Sequence, residues 1–232
     1  GLSFALQSHE AYYIPLGHDY MGAPDQLDRD TVLAALKPIL ENPAIGKIGQ
    51  HLKYDAHVLH HHGITLKGWA FDTMLASYVI NPTATRHGMD DLAQHYLDYQ
   101  TTTFEDVAGK GVKQLTFNQV ELDKAIPYAC EDADITFRLY ELFSAQLSQQ
   151  PALQHLLMNI ELPVAEILAD MENNGIALDT AVLAQLGHRF GLEMHTLEAR
   201  AHELAGQPFN VSSPKQLGEI LFDQLGIQGG KK

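Results

Sequence analysis

Cysteine is nearly absent from this chain. Cys130 is the only one in 232 residues, so no disulfide can close within the sequence and a reducing compartment is the natural expectation. Basic residues are scarce too. Fifteen Lys and Arg stand against 29 Asp and Glu, a net charge of −14, which excludes indiscriminate binding of phosphate over the whole surface. A local nucleic-acid site stays open, because bound cations reverse the sign of the charge around clustered carboxylates. No apolar run reaches the ~18–20 residues that span a bilayer, and the opening GLSFALQSHE lacks the basic end and long apolar centre of a signal peptide. The expectation is a soluble, cytoplasmic protein with no membrane contact. Internal repeats, low-complexity tracts and an H-E-x-x-H zinc pattern are also missing.

What is present is an ordinary core-forming composition, 45% hydrophobic. GLSFAL and AYYIPL, separated by QSHE, read as a β-hairpin. Asp28 and Asp30 can cap a helix whose apolar positions Val32, Leu33, Leu36, Ile39 and Leu40 recur at helical spacing. AIGKIGQ predicts a short strand, LKYDAHVLHHHG a helix ending at Gly63, and WAFDTMLASYVINP an extended start with a helix from Asp72 that stops before Pro82. A short helix is expected near Asn118, and Pro127 can open the next one, whose inner stripe would be Ala129, Ala133, Thr136, Tyr140 and Phe143, with Ile135, Leu139 and Leu147 nearby. Alternating strand and helix predicts an α/β domain over 1–150. Residues 151–232 read as wholly helical, with GGKK as a loose end.

The chemistry gathers in YACEDAD, residues 128–134. On a helix Tyr128 and Asp132 share a face one turn apart, with Glu131 beside them. A tyrosine hydroxyl can then orient water while the carboxylate holds a hard cation such as Mg²⁺, the arrangement metal-assisted hydrolysis needs. A solvated acidic helix start explains the same residues without function. QHLKYD supplies a second carboxylate, Asp55, on the first turn of a helix after a strand, where it can point over the end of a sheet. His57, His60, His61 and His62 invite a zinc-hydrolase reading, although such a run is more often a solvated helix end.

QHLKYD, FDTMLASYVINP, RHGMDDLA, TFEDVAGKG, QLTFNQV and YACEDAD, in that order, resemble the 3′–5′ proofreading exonuclease domain of the bacterial DNA polymerase I family (family A). NIELPVAEILADMENNGIALD and FNVSSPKQLGEILFDQLGI resemble the opening helices of that family's polymerase region. The resemblance implies a ribonuclease H-like fold, a mixed sheet flanked by helices with its first strand missing, followed by an all-helical start of a polymerase thumb region. It implies two divalent metal ions, Mg²⁺ with Mn²⁺ or Zn²⁺ as alternatives, Asp55 and Asp132 as ligands, and Tyr128 positioning the attacking water. It also implies a monomer acting on DNA, both a single-stranded 3′ end and a primer-template. Gln50, Tyr54, Arg86, Met89 and Phe104 become candidates for DNA contact through stacking and polar interactions.

Two departures qualify that expectation. The family's Asp-x-Glu motif does not occur in residues 1–20, so a poor or inactive nuclease is expected of the chain as it stands. His51 occupies a position where the family commonly has Asn. The alternative reading is a non-catalytic scaffold or single-strand-binding module that keeps the exonuclease fold.

Overall fold

The computed structural model describes residues 1–227, and the GGKK end lies outside them. Strands β1 (Leu2–Gln7) and β2 (Glu10–Ile14) pair antiparallel, Leu2 opposite Ile14 and Ala5 opposite Ala11, the hairpin expected about QSHE. Helix α1 (Arg29–Leu40) begins where the Asp28 carboxylate accepts the Thr31 N–H at 2.8 Å. Strands β3 (Lys47–Gly49) and β4 (Trp69–Asp72) pair in parallel, and α2 (Leu52–His61) lies in the crossover between them. Helix α3 (Thr73–Ile80) leaves β4 directly, followed by α4 (Met89–Leu97) and α5 (Phe104–Ala108). The fold is α/β. Parallel and antiparallel pairings are both present, in separate two-stranded pairs.

The long helix α6 (Leu122–Ser148) packs against β1, β2, β3, α3 and α4. Its start corrects the sequence reading. Pro127 is not the opening residue but stands inside the helix, because Leu122 and Ala125 are buried and carry the helix back past it. Burial of that extra turn outweighs the single hydrogen bond that proline cannot donate. The expected stripe holds in part: Ala129 and Phe143 are buried, as are their expected neighbours Ile135, Leu139 and Leu147, while Ala133, Thr136 and Tyr140 are only half-buried. Phe71, Ala76, Leu92 and Ala93 complete this core from β4, α3 and α4.

Gly1–Gly175 forms one compact unit, so α7 (Pro151–Leu156) and α8 (Leu162–Asn174) belong with the α/β elements, and α8 packs on α2 and β4. The second unit begins at Ile176. It is helical as expected, with α9 (Thr180–Ala205), capped by Asp179 and closed by the left-handed Gly206, then α10 (Pro214–Gly218). Among the described residues no helix is long and apolar enough to cross a membrane.

Candidate active site

The C-terminal ends of β3 and β4 lie side by side, Gly49 opposite Asp72, and both strands turn there into helices. Asp72 is 1% exposed. One of its carboxylate oxygens accepts the Leu52 N–H at 2.7 Å, the other the His51, Met74 and Leu75 N–H groups at 3.3, 2.9 and 3.2 Å. A single buried side chain therefore caps α2 and α3 together, answering the unpaired N–H groups at both helix starts. Burial raises its carboxyl above the ordinary value, and the amide donors work in the opposite direction. The sequence shows Asp72 only as a local cap. Its grip on α2 joins residues twenty positions apart.

That grip aims Asp55, on the first turn of α2. Much of the residue meets solvent, yet one carboxylate oxygen hangs over Gly49, 3.6 Å from where a β-carbon would stand. Burial of the carboxyl end, followed by the charge of Asp72, raises it to about 6. His51, just before α2, has a left-handed φ of 66°. Histidine, like asparagine, tolerates that region better than most residues.

The second grouping lies on α6. Oδ1 of Asp132 is buried with no hydrogen-bond partner among the described residues. Burial, then the charges of Asp90 and Glu131, raise this carboxyl to about 7, and the Tyr128 hydroxyl one turn away pulls in the opposite direction. Tyr128 itself is pushed up to about 12, first by burial and then by Asp132, so its hydroxyl keeps its proton and acts as a donor. Its ring lies 5.8 Å from that of Phe117 and 6.4 Å from that of Phe104. The other acids of YACEDAD are answered separately. Glu131 accepts from the Tyr99 hydroxyl at 2.8 Å and the Thr102 N–H at 2.6 Å, while Asp134 accepts the His9 N–H and pairs with Arg138 at 3.5 Å. Like charge is tolerated there because each side chain turns to a different set of donors.

The structure thus brings Tyr128 and Asp132 together and places Asp55 in a separate group with Asp72. Asp55 and Asp72 stand on α2 and β4, Tyr128 and Asp132 on α6; β3, over whose Gly49 the Asp55 carboxylate hangs, packs against α6. Among the described residues no cluster of three or more acidic, histidine or cysteine side chains is arranged to hold a metal. Of the residues predicted to meet DNA, Tyr54 is 63% exposed and Phe104 37% exposed, and Arg86 faces solvent. Gln50 and Met89 are turned inward. The Gln50 amide donates to His87 O at 2.9 Å and accepts from the Thr73 hydroxyl, and Met89 packs on the core, its sulfur 3.6 Å from Thr136 Oγ1.

Of the histidine run, His57 holds two helices together. His57 Nδ1 meets Asn173 Oδ1 at 2.7 Å and its Nε2 meets Glu172 Oε2 at 2.6 Å, while Lys53 bonds the other Glu172 oxygen at 2.6 Å. Both ring nitrogens face oxygen acceptors, which favours imidazolium, and the bond to Glu172, then that to Asn173, raises the His57 pKa. This contact between α2 and α8 contributes fully below the ordinary histidine value of about 6.5 and is lost as pH rises through the raised one. Its solvent exposure keeps the effect small. An NMR titration is expected to show His57 titrating above the ordinary histidine value of about 6.5 and returning toward it in Glu172→Gln; an unmoved titration in that variant would refute the contact.

The chain is similar to known proteins along nearly its whole length. The pattern described as 3′–5′ exonuclease matches residues 1–148, and that described as DNA polymerase family A matches residues 180–232. The chain is similar to the DNA polymerase I of Pseudomonas aeruginosa, at 52% identity over 229 residues, covering 98% of this chain and 25% of that protein. With the DNA polymerase I of Chloroflexus aurantiacus the identity is 40% over 229 residues, covering 98% and 24%. A solved structure described as the POL domain of Pol1 from M. smegmatis in complex with DNA primer-template and dNTP aligns with a TM-score of 0.69 at 30% identity, covering 89% of this chain and 32% of that one. The chain spans about a quarter of the length of the curated relatives it matches.

Proposed function

The chain belongs to the 3′–5′ exonuclease family, and from that premise we propose that it is the proofreading module of a family A DNA polymerase, with the beginning of the polymerase region after it. Its reaction is hydrolysis of the terminal phosphodiester at a single-stranded 3′ end of DNA, in a polypeptide that also engages a primer-template. The observation that carries this reading is the buried, unpartnered Oδ1 of Asp132 beside the Tyr128 hydroxyl. A buried carboxylate oxygen that no protein donor answers is costly unless a ligand answers it.

The donor set fits divalent cations. Hard carboxylate oxygens suit Mg²⁺ or Mn²⁺, and the residues that would hold the ions are Asp132 and Asp55. When bound, such ions supply an activated water and stabilisation of the charge on the departing 3′ oxygen. Tyr128 retains its proton and can donate a hydrogen bond that orients the incoming water. Asp72 fixes the start of α2 and hence the direction of Asp55. Tyr54, Arg86 and Phe104 offer exposed surface to bases and backbone, whereas Gln50 and Met89 act from behind, as supports of that wall. Stacking on aromatic faces tolerates every base, which removal of any mismatched nucleotide demands.

A polymerase-length protein containing this chain is expected to shorten a single-stranded oligonucleotide from its 3′ end in Mg²⁺, to release mononucleotides, and to stop when EDTA removes the metal. Shortening that survives chelation would overturn the metal-assisted reading. Failure to shorten at any divalent metal concentration would leave the fold as a strand-binding scaffold.

A further inference from the structure

Resting on the exonuclease reading, we propose that Glu131 is a positioning residue, anchoring the segment from Tyr99 to Thr102 on α6 and thereby setting where Phe104 stands against Tyr128. Glu131 reaches two points of that segment at once, the Tyr99 hydroxyl at 2.8 Å and the Thr102 N–H at 2.6 Å. The segment is held from its other sides as well. Arg138, on α6, lies 5.2 Å from the centre of the Tyr99 ring, and the buried Thr101 donates its hydroxyl to Asp90 at 2.6 Å. Thr103 then caps α5 with a reciprocal pair of bonds to Asp106, so Phe104 leaves the anchored segment at once as the first residue of a capped helix. Its ring sits 6.4 Å from that of Tyr128 and 6.4 Å from that of Phe117.

The consequence follows from chain connectivity. Thr102 is two residues from Phe104, too short a link to absorb a displaced anchor without moving the ring. Glu131 is bonded to its neighbouring segment while Asp132, next in sequence, keeps an oxygen free of protein donors. The division of labour within the motif is thus one carboxylate for the loop and one for the ligand. Glu131 needs no negative charge for this work. In Glu131→Gln the amide oxygen can take the Thr102 N–H while the amide NH₂ donates to the Tyr99 oxygen, since a phenol both donates and accepts.

Two measurements test this separately. Amide hydrogen exchange on this chain is expected to show the Thr102 N–H protected in the wild type and in Glu131→Gln, and exposed in Glu131→Ala. Steady-state hydrolysis of a single-stranded oligonucleotide by the polymerase-length protein is expected to show Glu131→Ala raising KM about five- to tenfold, the low end of one stacked base, with kcat and the half-saturating Mg²⁺ concentration little changed. Glu131→Gln should recover most of the KM. A fall in kcat coupled to a higher Mg²⁺ requirement would place Glu131 at the metal instead and overturn the proposal, as would unchanged protection of Thr102 in Glu131→Ala. If that variant does not fold, Tyr99→Phe removes one of the two donors and is expected to raise KM by a smaller factor; an unaltered KM would count against the anchor. Should the wild type release no nucleotide, the exonuclease reading fails on its own, and the exchange experiment still decides the anchor.

Discussion

Asp132→Ala in a polymerase-length protein is expected to lower Mg²⁺-dependent release of 3′-terminal nucleotides by about a thousandfold or more while leaving polymerisation intact. The magnitude follows from what one side chain supplies. Loss of a single preorganised electrostatic contact already costs about 10²–10³ in kcat, and a carboxylate that seats a cation contributes more than one hydrogen bond. Release within tenfold of wild type would remove Asp132 from the reaction. The same residue predicts a pH signature in the metal-free chain. Its carboxyl stands at about 7 against the ordinary 3.8, so between those values the unfolded state has lost a proton that the folded state keeps. Its contribution to folding stability therefore falls as pH rises from about 4 to about 7 and is level above that. A rise of about three pH units corresponds to at most about 4 kcal/mol. Asp132→Asn removes this slope but leaves an unanswered buried amide costing about 1–3 kcal/mol, so the comparison rests on the slope and not on the absolute stability. Parallel stability profiles for wild type and Asp132→Asn from pH 4 to 8, measured in EDTA, would contradict the burial of that carboxyl. Mg²⁺ should restore stability to the wild type at pH 8 and not to the variant.

Phe143→Ala is expected to cost about 3–5 kcal/mol, the usual range for deleting a buried aromatic side chain. Phe143 is 0% exposed in the stripe by which α6 meets the core, and its ring stands 4.9 Å from that of Tyr96 at 90°, an edge-to-face pair that adds about 0.5–1.5 kcal/mol. A domain with about 5–15 kcal/mol in total would lose a large part of its stability. Urea unfolding followed by circular dichroism should show the midpoint falling with little change in slope, and Phe143→Leu should lie between the two. A loss below about 1 kcal/mol would mean that α6 is not the spine of the core. Because Tyr128, Glu131 and Asp132 stand on the same helix, loosening it should also weaken their alignment before global unfolding.

The elements were legible in the sequence where local rules act alone. Asp28 and Asp72 announced helix starts, the apolar spacing of α1 and the two apolar runs about QSHE matched α1, β1 and β2, and Gly63, with a φ of 72°, ended α2 as expected. These signals depend on residues within about four positions, so the order of residues contains them. The spacing of Tyr128 and Asp132 was legible for the same reason, and the ordered motifs pointed to the family that the comparisons show. Pro127 misled because its local preference for a helix start yielded to burial of Leu122 and Ala125.

By itself, then, the chain's order of residues determined most helices and strands (though not where α6 begins), which carboxylates can share a helix face, and which family the motifs belong to. Tertiary structure alone decided what each polar group meets. Asp72 capping two helices, Gln50 turning inward to His87, Glu131 holding Thr102 and Asp132 Oδ1 left unpartnered all depend on partners tens of positions away, or on their absence. Hydrogen bonds and desolvation are set by what packing brings within about 3 Å, and that distance is not written in any neighbourhood of the sequence.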